Sequence, residues 1–197
     1  MKYPDFFKDI ETIKLQDSLS AFLGTFEDGI VEFSYLDVVK SAGHSCPTVA
    51  GAYLSTLYGL KALYKDEIPQ RGNIRVDFKE SQTEGVAGVI ASVITNITGA
   101  TTDFGFKGIG GNFNRANLMF FNQDIKSSVR FTRLDSNKSV DVIYNPNSIP
   151  PLEAQQPLMQ KIMQGVATPS ERRAFGETWQ DRVRRIFENS DSVITIF

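Results

Sequence analysis

The chain has 197 residues, and its 21 lysines and arginines nearly balance 23 aspartates and glutamates, leaving a formal net charge of −2. This balance argues against a protein whose main task is binding duplex nucleic acid, because such binding usually needs a clear excess of positive charge. A single cysteine excludes, within one chain, a disulfide, an iron–sulfur cluster and an all-thiolate zinc site. The length fits one domain, or one domain with an appendage.

Neither a signal peptide nor a membrane anchor is recognisable. The first residues carry Asp5, Asp9 and Glu11 instead of a basic segment followed by an apolar one. The longest strongly apolar stretch, 86–94, is too short and too rich in glycine to cross a bilayer. Without a secretion signal or a disulfide framework, we expect a cytoplasmic protein that binds neither membranes nor nucleic acid.

Hydrophobic spacing predicts mostly helices in the first third of the chain. Apolar residues recur at roughly helical intervals over 5–23, and a short strand over 30–35 leads into helical turns over 35–42. The clearest helix spans 47–64, where Pro47 occupies the first helical position and its missing N–H has no partner to lose. Small residues along this central helix would allow another element to approach it closely.

The middle of the chain is rich in predicted strands. Residues 73–79 and 118–121 are expected to be strands, and 129–134 and 140–144 flank a polar turn typical of a hairpin. Residues 88–97 fit two interpretations. Their β-branched side chains favour a strand, whereas the spacing of their alanine and isoleucines also fits a buried helix.

Prolines and asparagines over 145–151 predict a linker, and helices should follow it over 152–164 and 170–189. Thr168 and Glu171 have the spacing of a capping box at the start of the second of these helices. The apolar chain end could add a strand or dock on a partner subunit.

These elements predict an α+β fold with a mostly antiparallel sheet packed against the central helix and with additional terminal helices. We divide the chain into an α+β domain over 1–150 and a C-terminal helical extension over 151–197 that packs on the same domain.

The only histidine and the only cysteine, His44 and Cys46, lie directly before the central helix. The amides and dipole of a helix start favour negative charge, so a cysteine there tends toward the thiolate form. A thiolate beside an imidazole can bind a metal such as zinc or act as a nucleophile, whereas the structural alternative is a cysteine that packs as a small apolar residue. Two such residues cannot close a structural zinc site, so any metal site here would be open. Asp77 and Glu80 could add carboxylate ligands if their strand ends near this helix start.

The segment Gly-His-Ser-Cys-Pro over 43–47, followed by a helix with small residues, resembles the Gly-His-x-Cys-Pro-Gly signature of the formylmethanofuran dehydrogenase E-subunit family. Residues 98–101, Thr-Gly-Ala-Thr, look like the family's Thr-Gly-Cys-Thr segment. The resemblance covers about 30–144 and implies an α+β fold, a homodimer and a zinc-like divalent metal bound by His44 and Cys46. It does not imply the dehydrogenase reaction, whose molybdenum or tungsten chemistry would reside in other subunits.

The sequence departs from the family pattern at several positions. Thr48 replaces the glycine after Cys-Pro, Ala100 stands where the family has its second cysteine, and further family cysteines are missing. Only His44 and Cys46 therefore carry over as metal ligands.

A glycine-rich stretch over 101–115 carries Lys107 and Arg115. Its backbone amides and these two cations could hold the phosphate or carboxylate of a ligand, which makes Lys107 and Arg115 candidate cofactor-binding residues. The spacing matches neither a Walker loop nor a dinucleotide fingerprint. A long connection between strands is the simpler interpretation.

Three functions remain open. The first is a metal-dependent enzyme or accessory subunit in which the ion held by His44 and Cys46 polarises a small substrate. The second is a non-catalytic module that binds or carries a small ligand through the glycine-rich loop 105–111. The third is a thiol protein with Cys46 as nucleophile and His44 as base, although no second cysteine could resolve an oxidised intermediate.

We also predict a homodimer, because the small-residue stripe on the central helix and the apolar chain end would otherwise be left uncovered.

Overall fold

Helices and strands are mixed along residues 2–197, which the computed structural model describes. The helices are α1 (Ser18–Phe22), α2 (Tyr35–Ala42), α3 (Pro47–Tyr64), α4 (Ala87–Thr98), α5 (Gln155–Met163), α6 (Pro169–Glu188) and α7 (Ser190–Val193). The strands are β1 (Ile13–Gln16), β2 (Ile30–Phe33), β3 (Ile74–Phe78), β4 (Met119–Phe120), β5 (Val129–Arg133), β6 (Ser139–Tyr144) and β7 (Ile194–Ile196). Among these helices, none is long and apolar enough to cross a membrane.

The main sheet has the strand order β4-β3-β5-β6-β7. Its pairs are antiparallel except for β3 with β4, which run parallel. The strands β5 and β6 form the predicted hairpin, and β7 adds the chain end to the sheet through pairs such as Val142 with Ile196. A separate antiparallel ribbon joins β1 and β2. The predicted α+β fold with a mostly antiparallel sheet is therefore confirmed.

The predicted central helix, α3, lies on this sheet and is buried on nearly all sides. It contacts β5, β6 and β7 on one side and α2, α4 and α6 on the others. Two glycines let the sheet approach the helix backbone closely, because a Cβ added at Gly51 would lie 2.1 Å from the ring of Tyr144, and one at Gly59 would lie 2.7 Å from the ring of Phe131. Small residues on α3 thus serve helix–sheet packing within the chain.

Residues 88–97 belong to a helix, so the strand interpretation of this segment was wrong and the alternative of a buried helix is correct. The side chains of Ala87, Ala91 and Ile94 are buried at intervals of four and three residues. This is the period of a helix with one buried face, and α4 packs that face against α3. Burial against another helix here outweighs the preference of β-branched residues for strands.

The predicted helix over 5–23 was also wrong. The segment contains a 3-10 turn (Asp5–Asp9), then β1, then the short helix α1. Ile13 and Leu15 alternate into the core as strand residues do, and the carboxylate of Asp17 then accepts from the first amides of α1. An irregular apolar spacing was thus compatible with several short elements as well as with one helix.

The C-terminal residues contribute one helix that packs on α3 and one strand of the main sheet. The helix α6 packs on α3, and its start shows the predicted capping box, in which Thr168 and Glu171 each bond the backbone amide of the other. Of the elements in this part of the chain, α5 contacts mainly α6, and β7 extends the sheet. The division of the chain at residue 150 stays a prediction.

Asp17 is the centre of a buried ion cluster that ties three segments together. It is 5% exposed and accepts from Arg71 at 2.8 Å and from Arg115 at 2.6 Å. Burial acts to raise the pKa of Asp17, but the hydrogen bond from Arg71 and the charges of both arginines outweigh it, so the pKa lies below the ordinary 3.8. The cluster therefore fixes the ionised form of this carboxyl.

We expect Asp17→Asn to lower the free energy of unfolding by about 3 kcal/mol near neutral pH, because two guanidinium groups lose their shared counter-charge. Since the pKa of folded Asp17 is depressed, its contribution is present above pH 3.8 and is lost as the pH falls through the lower, folded value. In urea unfolding across this acidic range, the wild type should lose more stability than the variant.

Asp5→Asn is the matched control, because the Asp5 side chain is 98% exposed. It should leave the stability within about 0.5 kcal/mol of the wild type. An Asp17→Asn variant as stable as this control would contradict the role assigned to the cluster.

Candidate functional site

The segment that carries His44 and Cys46 connects α2 to α3. Gly43 ends α2 with φ of 78°, a left-handed conformation that glycine adopts without strain. Cys46 is the N-cap of α3, and its Sγ accepts from the amide of Val49 at 3.4 Å. His44 therefore lies in the connecting loop and Cys46 at the helix start, as the sequence predicted.

His44 is exposed, and its Nδ1 lies 3.0 Å from the carbonyl oxygen of Ala42. A carbonyl oxygen can only accept, so Nδ1 carries a proton in this contact, and in the neutral imidazole Nε2 is then the nitrogen with the lone pair. Among the hydrogen bonds of the described residues, none joins His44 to Cys46. The structure therefore does not show the base–nucleophile pair that a thiol mechanism would use.

Four side chains hold Ser45 and Pro47, the two neighbours of Cys46, in place. The Ser45 hydroxyl lies 2.9 Å from the hydroxyl of Tyr35, and the Ser45 carbonyl accepts from Trp179 at 3.2 Å and from Gln180 at 3.1 Å. From the sheet, the hydroxyl of Tyr144 donates to the carbonyl of Pro47 at 2.7 Å. Elements from three parts of the chain thus fix the start of α3.

Tyr35 and Tyr144 act here as hydrogen-bonding hydroxyls. Burial raises the pKa of each phenol well above its ordinary value of 10.0. Both therefore stay protonated around neutral pH, which suits positioning and not proton abstraction.

The donor set at this position is too small for a resident metal ion in a single chain. Over residues 2–197, no group of three or more histidine, cysteine, aspartate and glutamate side chains is arranged to hold a metal. His44 and Cys46 offer at most two protein donors, whereas catalytic zinc normally has three. Asp77, a possible additional ligand, is committed to an ion pair with Arg75 at 2.7 Å.

A cavity of about 400 Å³ borders the first turns of α3, and we call it the α3 cavity. It lies between α3, the start of α4 and the ends of β3 and β6, and α3 contributes Thr48, Gly51 and Ser55 to its wall. Its volume falls within the range of roughly 300–1,000 Å³ typical of small-molecule sites. The strand β3 does end beside the start of α3, and there Glu80 lines the cavity.

Tyr144 separates the α3 cavity from the Cys46 segment. Its ring covers Gly51 and lines the cavity, while its hydroxyl bonds the backbone of Pro47 on the other side. His44 and Cys46 are not among the lining residues. The structure therefore gives two neighbouring features, a loop with two metal-type donors and a cavity, and not one combined site.

The glycine-rich loop lies elsewhere and is organised internally. The amides of Ile109, Asn112 and Arg115 donate to carbonyl oxygens within the loop, at 2.9, 3.0 and 2.7 Å, respectively. Lys107 is exposed, whereas Arg115 is 7% exposed and bonded to Asp17. Neither cation lines the α3 cavity, and the charge of Arg115 serves the fold.

Sequence reasoning singled out His44 and Cys46 as metal ligands, and Glu80 as a possible further ligand, but missed several residues that shape this region. Trp179 is the only tryptophan of the chain, and its ring nitrogen bonding the Ser45 carbonyl was not foreseeable from helical spacing. Ser55 was recognised only as a small residue. No sequence signal indicated that its hydroxyl would face a cavity.

We expect Gly51→Ala to lower the free energy of unfolding by about 2 kcal/mol, because the new methyl group would displace the ring of Tyr144. Gly176→Ala is the matched control in the interior of α6, where no atom lies within 4 Å of the added Cβ. That substitution should instead stabilise the protein by about 0.5–1 kcal/mol through helix propensity. Equal effects of the two substitutions in chemical denaturation would contradict the close contact at Gly51.

Comparison with known proteins supports the resemblance seen in the sequence. The family model described as FmdE, Molybdenum formylmethanofuran dehydrogenase operon, matches residues 42–196. The match begins just before His44 and continues through α6 and into β7, so it includes the helices that hold the start of α3. A search of curated proteins gives no match. The chain belongs to the FmdE family.

Proposed function

We propose that this FmdE-family chain binds a small organic molecule in the α3 cavity. The observation that carries the proposal is a cavity of about 400 Å³ with apolar walls and a few polar groups at the start of the central helix. Small-molecule sites typically combine an apolar lining with a few placed polar groups in this way. The polar groups here include the hydroxyls of Thr48, Ser55 and Ser128.

Ser55 offers the cavity a hydroxyl that the described residues of the protein do not themselves use. Ser55 is 3% exposed, yet its side chain has no hydrogen bond within residues 2–197. Elsewhere in the helices, Thr56, Ser92 and Thr98 each donate to the carbonyl four residues earlier. Because Ser55 borders the cavity, its hydroxyl is available to donate to or accept from a molecule bound there.

A fragment library of amines, carboxylates, alcohols and aromatic compounds tests this proposal by thermal unfolding. Fragments that bind should raise Tm by about 4 °C at a concentration roughly tenfold above their Kd. Thr48→Trp should abolish the response, because the indole would occupy the cavity. Thr25→Trp, at an exposed position outside the cavity, is the control and should respond as the wild type does. The proposal fails if no fragment shifts Tm or if Thr48→Trp keeps every response.

We propose, second, that His44 Nε2 and Cys46 Sγ bind a zinc-like divalent ion whose other ligands come from outside this chain. Metal-bound histidines usually donate their second ring nitrogen to a carbonyl or carboxylate, as His44 Nδ1 does to Ala42. Water, a bound substrate or groups from another chain can supply the remaining donors.

We propose the homodimer on the exposed apolar side of α5 and the loop after it. Met159, Met163 and Val166 lie three or four residues apart and are 40%, 82% and 66% exposed. Residues at this spacing share one helix face, and an apolar face of this kind is typical of an interaction surface.

One preparation tests both the metal and the dimer. Protein purified without an affinity tag should elute at twice the 22.0 kDa of one chain by light scattering, and the same peak should contain zinc. His44→Ala and Cys46→Ser should lose most of that zinc, whereas Ser45→Ala, which keeps both donors, should retain it. A monomer would contradict the dimer, and a peak unable to take up zinc would contradict the metal site.

A further inference from the structure

The charges around the α3 cavity are all of one sign. Among the described residues that line it, Glu80 and Glu84 carry the only formal charges, and no lysine, arginine or histidine contributes. Low-dielectric walls strengthen the field of such charges, which favours a cationic ligand over an anionic one.

These two carboxylates are not neutralised by the protein. Within residues 2–197, neither Glu80 nor Glu84 has a lysine or arginine partner, and the carboxylate of Glu84 accepts only the amide of Ser81 at 3.3 Å. Buried and half-buried acids elsewhere are paired, as with Asp141, which lies 2.8 Å from Arg130. Glu80 is itself half-buried, so its unpaired carboxylate is an exception in this fold.

The uncharged residues that line the cavity restrict the chemical class of the ligand further. Phe78, Ile90 and Tyr144 supply apolar and aromatic surface, and the hydroxyl of Ser55 gives one buried polar contact. Ca²⁺ and Mg²⁺ prefer sites lined mainly by oxygen ligands and ordered water, whereas most of the residues that line this cavity are apolar. The lining therefore suits an organic cation with an apolar body better than a metal ion.

We propose that the ligand of the α3 cavity carries a protonated amine on a compact apolar body, an inference that rests on the proposed function. The ammonium group lies against Glu80 and Glu84, the body packs against the aromatic wall, and the Ser55 hydroxyl bonds a polar atom of the ligand. The carboxylates thus determine which class of molecule binds, and the cavity shape determines its size.

Three probes of nearly equal size test the charge preference on the full-length chain: benzylamine, benzyl alcohol and benzoate. Calorimetric or NMR titration should give the lowest Kd for benzylamine, a Kd about tenfold higher for benzyl alcohol and the weakest binding for benzoate. The double variant Glu80→Gln/Glu84→Gln should raise the Kd for benzylamine about tenfold and leave that for benzyl alcohol unchanged. Glu153→Gln removes an exposed carboxylate away from the cavity and should change neither.

The outcomes separate this inference from the proposed function. If the probes bind equally well, or the double variant binds benzylamine as the wild type does, the cationic preference is wrong. In that case, loss of all binding in Thr48→Trp still supports the cavity as a ligand site. If no probe binds, or if Thr48→Trp binds all of them unchanged, both the cavity site and the ligand class are wrong.

Discussion

The close contact between Gly51 and the ring of Tyr144 determines how the central helix lies on the sheet. A Cβ at residue 51 would sit 2.1 Å from that ring, so only glycine allows the approach. The same tyrosine donates to the carbonyl of Pro47, which ties β6 to the first residue of α3. From the opposite side, Trp179 and Gln180 bring α6 onto the Ser45 carbonyl. The start of α3 is therefore the point where sheet, central helix and C-terminal helix are joined, and the α3 cavity lies beside it.

Ion pairing distinguishes charges that hold the fold from charges available to a ligand. Asp17 is buried and accepts from Arg71 and Arg115, so these cations are used within the structure. Glu80 and Glu84, by contrast, line a cavity without a cationic partner among the described residues. Glu80 is half-buried, and burial of an unpaired charge costs free energy, so its free carboxylate is better explained by a bound cation than by the fold.

The sequence was sufficient for the elements that depend on local signals. Local chemistry marks three element boundaries that the structure also has. They are Pro47 directly after Cys46, the capping box at Thr168 and the polar turn before β6. The secondary structure of segments 5–23 and 88–97 was harder to predict, because their apolar spacing fits both a helix and a strand. In such segments the element that packs against them decides which of the two forms. For residues 88–97, packing against α3 outweighed the strand propensity of the β-branched residues and made the segment a helix.

The candidate site was foreseeable in part for the same reason. His44 and Cys46 stood out because they are unique in composition, and Glu80 because its strand could end near α3. In the sequence, Arg115 looked available for a ligand. Its counter-ion in the structure is Asp17, which lies too far away along the chain for a sequence pattern to reveal the pair. The cavity itself arises from α3, α4 and two strand ends, which no local motif could bring together.

An electron-density map of wild-type crystals soaked with the fragment mixture would show directly whether the α3 cavity binds small molecules. We expect density for a fragment in the α3 cavity, with a polar atom of the fragment within hydrogen-bond distance of the Ser55 hydroxyl. A cavity that holds only water, with fragments bound elsewhere or not at all, would contradict it.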